Sequence, residues 1–152
     1  MQTAGQQVFR LVRRLREELG LALILISHDL GVLAETCDRI AVMYAGRIVE
    51  TGSVDAVFAA PQHPYTKLLL DSLPVIGGDR GVATAIPGAP PDPGEPPPGC
   101  RFSPRCPYRG ERCDVDPALR EVVPAHTAAC HYAPWERWPD LDPALSGSEG
   151  AR

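Results

Sequence analysis

The chain has 152 residues, room for one ordinary domain or for a small domain with an extension. Its 15 basic and 19 acidic residues leave a net charge of −4, which argues against a general electrostatic role on nucleic acid or a membrane surface. At 44% hydrophobic residues the chain can build a core, so wholesale disorder is excluded too. The apolar run Leu21–Ile26 is six residues, far short of the roughly 20 that a membrane helix needs. The opening MQTAGQQVFR shows no basic patch followed by an apolar stretch, so the expectation is a soluble, intracellular chain without a secretory signal. In a reducing compartment its five cysteines point to metal or cluster ligation rather than to disulfides.

The first 60 residues contain no proline, whereas residues 61–152 contain all 17. Within the first part, Val8, Leu11, Val12, Leu15 and Leu19 fall on one helical face, and Gly20 stops that helix. LALILIS (Leu21–Ser27) is apolar at nearly every position, the pattern of a strand covered on both faces in a mainly parallel sheet. Asp29 offers an N-cap for a short helix over Leu30–Thr36. Ile40–Met43 and Arg47–Thr51 read as a hairpin with a tight turn ending at Gly46. Ser53 can cap a further helix through Phe58, and HPYTKLLLDSLP supplies another, with Pro64 at its first position.

A strand apolar on both faces needs neighbours at both edges and layers above and below. One hairpin and four short helices do not supply them, and leaving half of that strand exposed forfeits about 5 kcal/mol. The sequence reads as part of something larger. Expected boundaries are an α/β portion over residues 1–60 and the helix over 61–74. A proline-rich linker over 75–98, a cysteine-rich module over 99–135 and a frayed tail over 136–152 complete the division.

Ser27, His28 and Asp29 sit just beyond the carboxyl end of the expected strand, where ligands bind in open α/β sheets. An imidazole there can hydrogen-bond a terminal phosphate; the plainer alternative is a histidine satisfied by a neighbouring carbonyl. The surrounding string LILISHDLGVLAETCDRIAVMYAGRIVETG resembles the switch-histidine region of ABC transporter ATP-binding subunits. With HPYTKLLLDSLP the resemblance narrows to the oligopeptide/dipeptide importer branch, over roughly residues 5 to 135. It implies an α/β fold that is a partial ABC-type nucleotide-binding domain, with a parallel strand plus a hairpin and helices. The linker and a small irregular cysteine-rich module follow.

The resemblance also implies that His28 contacts the ATP γ-phosphate, supported by Ser27 and Asp29, with Mg2+ as co-ligand in an intact member. The implied partners are a second ATP-binding subunit, permease subunits and, indirectly, a peptide-binding protein. The implied location is cytoplasmic, peripheral on the inner face of a bacterial membrane. The phosphate loop G-x-x-x-x-G-K-[ST] does not occur in these 152 residues, whose single lysine is Lys67. Neither the LSGGQ signature nor an apolar strand ending in Asp-Glu precedes His28. The expectation is therefore that the chain neither binds ATP tightly nor hydrolyses it alone.

Cys100, Cys106, Cys113 and Cys130 are spaced C-x5-C-x6-C-x16-C in a segment too core-poor to fold without a staple. Zinc knuckles usually have two to four intervening residues, so the longer spacings suit a [4Fe–4S] cluster, with zinc or unligated thiols as alternatives. Arg101, Arg105, Arg109 and Arg112 are placed to offset the charge of a tetrathiolate centre. The family's extension, which GCRFSPRCPYRGERC resembles, implies an iron–sulfur cluster in some members. His126 and His131 are reserve ligands, and Cys37 reads as a small buried apolar residue. Two other functions compete with the importer reading: a non-catalytic metal-stapled interaction module, and a zinc-bearing nucleic-acid binder. The acidic total and the few stacking aromatics weigh against the second.

Overall fold

The structure, a computed structural model, describes residues 4–73, 86–92, 94–136 and 138. Half of the expected linker and most of the expected tail lie outside these. Helix α1 (Ala4–Leu19) is followed by α2 (Leu30–Thr36), strands β1 (Arg39–Tyr44) and β2 (Arg47–Ser53), and helices α3 (Val54–Ala59) and α4 (Pro64–Asp71). Two 3-10 turns over Ser103–Arg105 and Glu111–Asp114 lead into β3 (Arg120–Val123) and β4 (His126–Ala128). The four strands form one antiparallel sheet in the order β1-β2-β4-β3.

Local chemistry accounts for each start and turn. Ala45 and Gly46 take φ of 46° and 77°, the left-handed pair that matches a two-residue hairpin turn to strand twist. Asp29 caps α2 by accepting from the Val32 N–H at 3.1 Å, and Ser53 caps α3 by accepting from Ala56. His63 caps α4 with its own ring: Nδ1 accepts the Tyr65 N–H at 3.1 Å, and Pro64 follows at the first helical position.

Along β1 the side chains alternate, with Ile40, Val42 and Tyr44 turned into the core. Leu30 and Leu33 from α2, Val54 and Val57 from α3, Leu68 from α4 and Val49 from β2 complete it. The last piece comes from the cysteine-rich segment: Phe102 is 1% exposed and packs edge-on against Tyr44 at 5.1 Å, beside Tyr65 and His63. The hairpin and the cysteine-rich segment thus share a core as well as a sheet.

Two expectations change here. The parallel strand does not form: residues 21–27 have no strand partner among the described residues, and Ile24 and Ile26 are 90% and 93% exposed. An apolar run without neighbours at its edges has nothing to pair with, which is the difficulty its composition raised. Leu11, Leu15 and Leu19, on the apolar face of α1, are exposed as well. The second change is the sheet itself, antiparallel throughout and closed on one side by β4 and β3, which the sequence reading did not anticipate.

Candidate functional site

His28 is exposed, one residue after Ser27 at the end of the extended apolar run. The Ser27 hydroxyl accepts from the Asp29 N–H at 3.0 Å, and the Asp29 carboxylate is committed to the α2 cap. Those two neighbours fix the backbone around the imidazole and leave the ring facing outward.

The four cysteines converge. Cys100, Cys106, Cys113 and Cys130, 30 residues apart from first to last, line one narrow and almost wholly apolar cavity together with His63 and Phe102. All four are free thiols. Burial pushes the Cys106 thiol up to about 12 and raises Cys100 and Cys130, with the neighbouring thiols adding to the rise. Backbone N–H groups oppose it, from Phe102 and Ser103 at Cys100, Tyr108 at Cys106, and Tyr132 and Ala133 at Cys130. A cavity of this kind keeps bare thiols neutral.

Among the described residues no group of three or more His, Cys, Asp or Glu is disposed to hold a metal ion. The arrangement therefore gives no support to a mononuclear zinc site. Four thiols line a shared cavity, and backbone N–H donors meet three of them, Cys100, Cys106 and Cys130.

The loop geometry holds the cysteines where they are. Gly99 takes φ of 73°, and a Cβ there would lie 2.5 Å from the Cys113 carbonyl oxygen and 2.6 Å from the Asp114 backbone. Only glycine lets the two cysteine loops approach and form the Cys100 N–H to Cys113 carbonyl bond of 2.9 Å. Gly99→Ala is expected to cost about 2 kcal/mol, read as a lower midpoint in urea denaturation of the chain; an unchanged midpoint refutes the tight approach.

The arginines do other work than the sequence suggested. Arg101 donates to the Ala45 carbonyl in the hairpin turn. Arg105 donates to the Pro87 and Ile86 carbonyls, tying down the chain that enters the segment. Arg109 pairs with Asp114, and Arg112 donates to the His131 carbonyl. The donors facing the sulfurs are backbone amides, and the guanidinium groups staple loops.

His126 is not at the cysteine cavity. It is 2% exposed, and its Nε2 donates to Glu50 Oε1 at 2.7 Å. Glu50, fully buried on β2, also accepts the Gln62 N–H at 2.6 Å and the His63 N–H at 2.9 Å. One carboxylate thus holds β2, the entry to α4 and β4 together. Sequence reasoning missed it, since Glu50 looks like the solvent-facing member of an alternating strand. His131 does reach the cavity wall, with Nε2 turned to the Val115 carbonyl at 2.9 Å. Cys37 is half-buried at the end of α2, against the core.

The end of β2 from Val49, the histidine-proline-tyrosine helix and Cys100, Cys106 and Cys113 are one matched stretch: residues 49–113 match the family described as oligopeptide/dipeptide transporter, C-terminal region. The chain carries such a C-terminal region. It is 42% identical over 131 residues to the dipeptide transport ATP-binding protein DppD of Escherichia coli, covering 86% of this chain and 40% of that one. It is 43% identical over 129 residues to the oligopeptide transport ATP-binding protein AppD of Bacillus subtilis, covering 84% of this chain and 39% of that one. The chain thus spans about two-fifths of the length of these relatives. Glu50, Gln62 and His63, which tie this C-terminal region to its sheet, lie inside the matched stretch. His28 precedes it, and Cys130 and His126 follow it. No helix among the described residues is long and apolar enough to cross a membrane.

Proposed function

We propose that this chain is the C-terminal portion of an ATP-binding subunit of a peptide importer, and that it supplies His28 as the γ-phosphate-contacting histidine of a nucleotide site. The observation that carries this is the exposed imidazole at the end of an uncovered apolar run, beside the uncovered apolar face of α1. Both are surfaces that the rest of an α/β nucleotide-binding domain would cover. The partners in this reading are a second ATP-binding subunit and permease subunits on the cytoplasmic face of the membrane, with a peptide-binding protein acting through them. ATP and Mg2+ would be held largely by residues this chain does not contain.

A chimera tests the reading. Residues 5–135 replace the matching part of the Escherichia coli dipeptide transport ATP-binding protein, and magnesium-dependent ATP hydrolysis is measured. The chimera is expected to turn over ATP, and His28→Ala to lower the rate by roughly 100-fold, the usual cost of losing one donor to a developing charge. The 152-residue chain by itself should show no turnover above its own His28→Ala variant. A fully active His28→Ala chimera removes His28 from the chemistry.

The same proposal assigns Cys100, Cys106, Cys113 and Cys130 to an iron–sulfur cluster with a structural role. Support comes from their shared cavity, its amide donors and its low polarity. Anaerobically purified chain is expected to contain iron and acid-labile sulfide, with iron content falling to background in Cys106→Ser. Iron-free protein from iron-replete cells overturns the assignment.

A further inference from the structure

A second cavity, of about 310 Å³, is formed by the start of β2, the loop at Cys100–Phe102 and residues 116–119. It shares His63, Cys100, Phe102 and Pro117 with the cysteine cavity. The volume lies at the small end of ligand sites, which run from about 300 to 1,000 Å³.

The lining combines two chemistries. Ile48 and Leu119, 40% and 44% exposed, leave apolar surface open along it, in a wall that also holds the buried Val49 and Phe102. Three charged side chains share that wall: Arg47, Arg101 and Asp116. Arg47 and Asp116 form an ion pair at 3.3 Å, with both side chains about half exposed. A pair this open to water contributes little and gives way at small cost. Arg101 donates to the Ala45 carbonyl, and a guanidinium has five N–H donors in all.

A ligand with a lone carboxylate would take Arg47 and strand Asp116, and a lone cation would strand Arg47. A molecule charged at both ends satisfies the whole set, with guanidinium forks on its carboxylate and Asp116 on its ammonium. The open apolar surface calls for an apolar side chain on the same molecule. The volume equals about ten waters at about 30 Å³ each. Covalently bonded atoms pack more closely than waters, which brings the capacity to the size of a dipeptide.

We propose that this cavity binds a free dipeptide. Its carboxylate lies on Arg47 and Arg101, its ammonium on Asp116 and an apolar side chain against Ile48 and Leu119. The inference stands apart from the importer reading, which places no peptide on this chain.

The test titrates the 152-residue chain calorimetrically with alanyl-leucine, leucine, N-acetyl-alanyl-leucine and alanyl-leucine amide. Alanyl-leucine is expected to bind saturably at one site, and blocking either end to weaken it roughly tenfold, the loss of one charge-assisted contact. Asp116→Asn should weaken alanyl-leucine roughly tenfold and bind the N-acetyl peptide as the parent does. Arg47→Gln should do the same for the free peptide and its amide. Loosening of the loop would instead weaken every peptide alike, so uniform weakening in both variants overturns the proposal. No saturation by about 10 mM overturns it too. Leucine binding as tightly as alanyl-leucine overturns the dipeptide assignment.

Discussion

Glu50→Ala is expected to destabilise the chain by about 3–5 kcal/mol, the largest single effect in the molecule. The carboxylate is wholly inaccessible and is the acceptor for three donors: the Gln62 and His63 amides and His126 Nε2. Truncation leaves all three facing a void that water does not reach, and each carries the desolvation cost of an unmade bond. Leucine would fill the void without accepting anything, so Glu50→Leu should fare no better than alanine. Glu50→Gln retains one acceptor oxygen and should fall between. Urea denaturation of the chain measures the loss, and amide exchange at Gln62 and His63 locates it. A Glu50→Ala midpoint near that of the parent would mean that these three bonds contribute little.

The second large effect is acid sensitivity through His63. Burial holds its ring at a pKa of about 3, against 6.5 in the unfolded chain. Protonation would also take the lone pair with which Nδ1 accepts the Tyr65 N–H. Above pH 6.5 both states leave the ring neutral, and the stability associated with it is fully present. As pH falls from 6.5 towards 3, the unfolded chain takes up a proton that the folded chain refuses, and stability declines by up to about 1.4 kcal/mol per pH unit. His63→Asn keeps a side chain that caps helices and cannot titrate. Stability against pH for this variant should be flatter than for the parent between pH 6.5 and 4. Parallel curves would show that the ring titrates alike in both states.

How far the sequence could be read depended on how local each determinant is. The hairpin turn at Ala45–Gly46, the caps at Asp29 and Ser53 and the Pro64 helix start are set by residues within four positions of each other, and all stand in the structure. Leu21–Ile26 has the composition of a central strand, but strand formation needs partners, and the described residues provide none. Strands β3 and β4 were hidden for the opposite reason. REVV and HTA are too short and too polar to signal strands, and they exist because β2 offers them an edge, with Thr127 Oγ1 meeting Thr51 Oγ1 at 2.8 Å. At the candidate site, cysteine spacing showed which four residues belong together. Glu50 and Gln62 could not be found that way, since their roles come from contacts spanning 12 to 76 positions.

The bare leucines and isoleucines after α1 carry a consequence for how the polypeptide behaves in a cell or a tube. Of the six apolar residues Leu21–Ile26, five are exposed and none pairs with a strand among the described residues, which makes a sticky ribbon, well suited to zipping against identical ribbons on other molecules. Crowded at high concentration, such molecules clump, and in a cell they become clients for chaperones and proteases. Whatever shields this ribbon sets the working lifetime of the polypeptide.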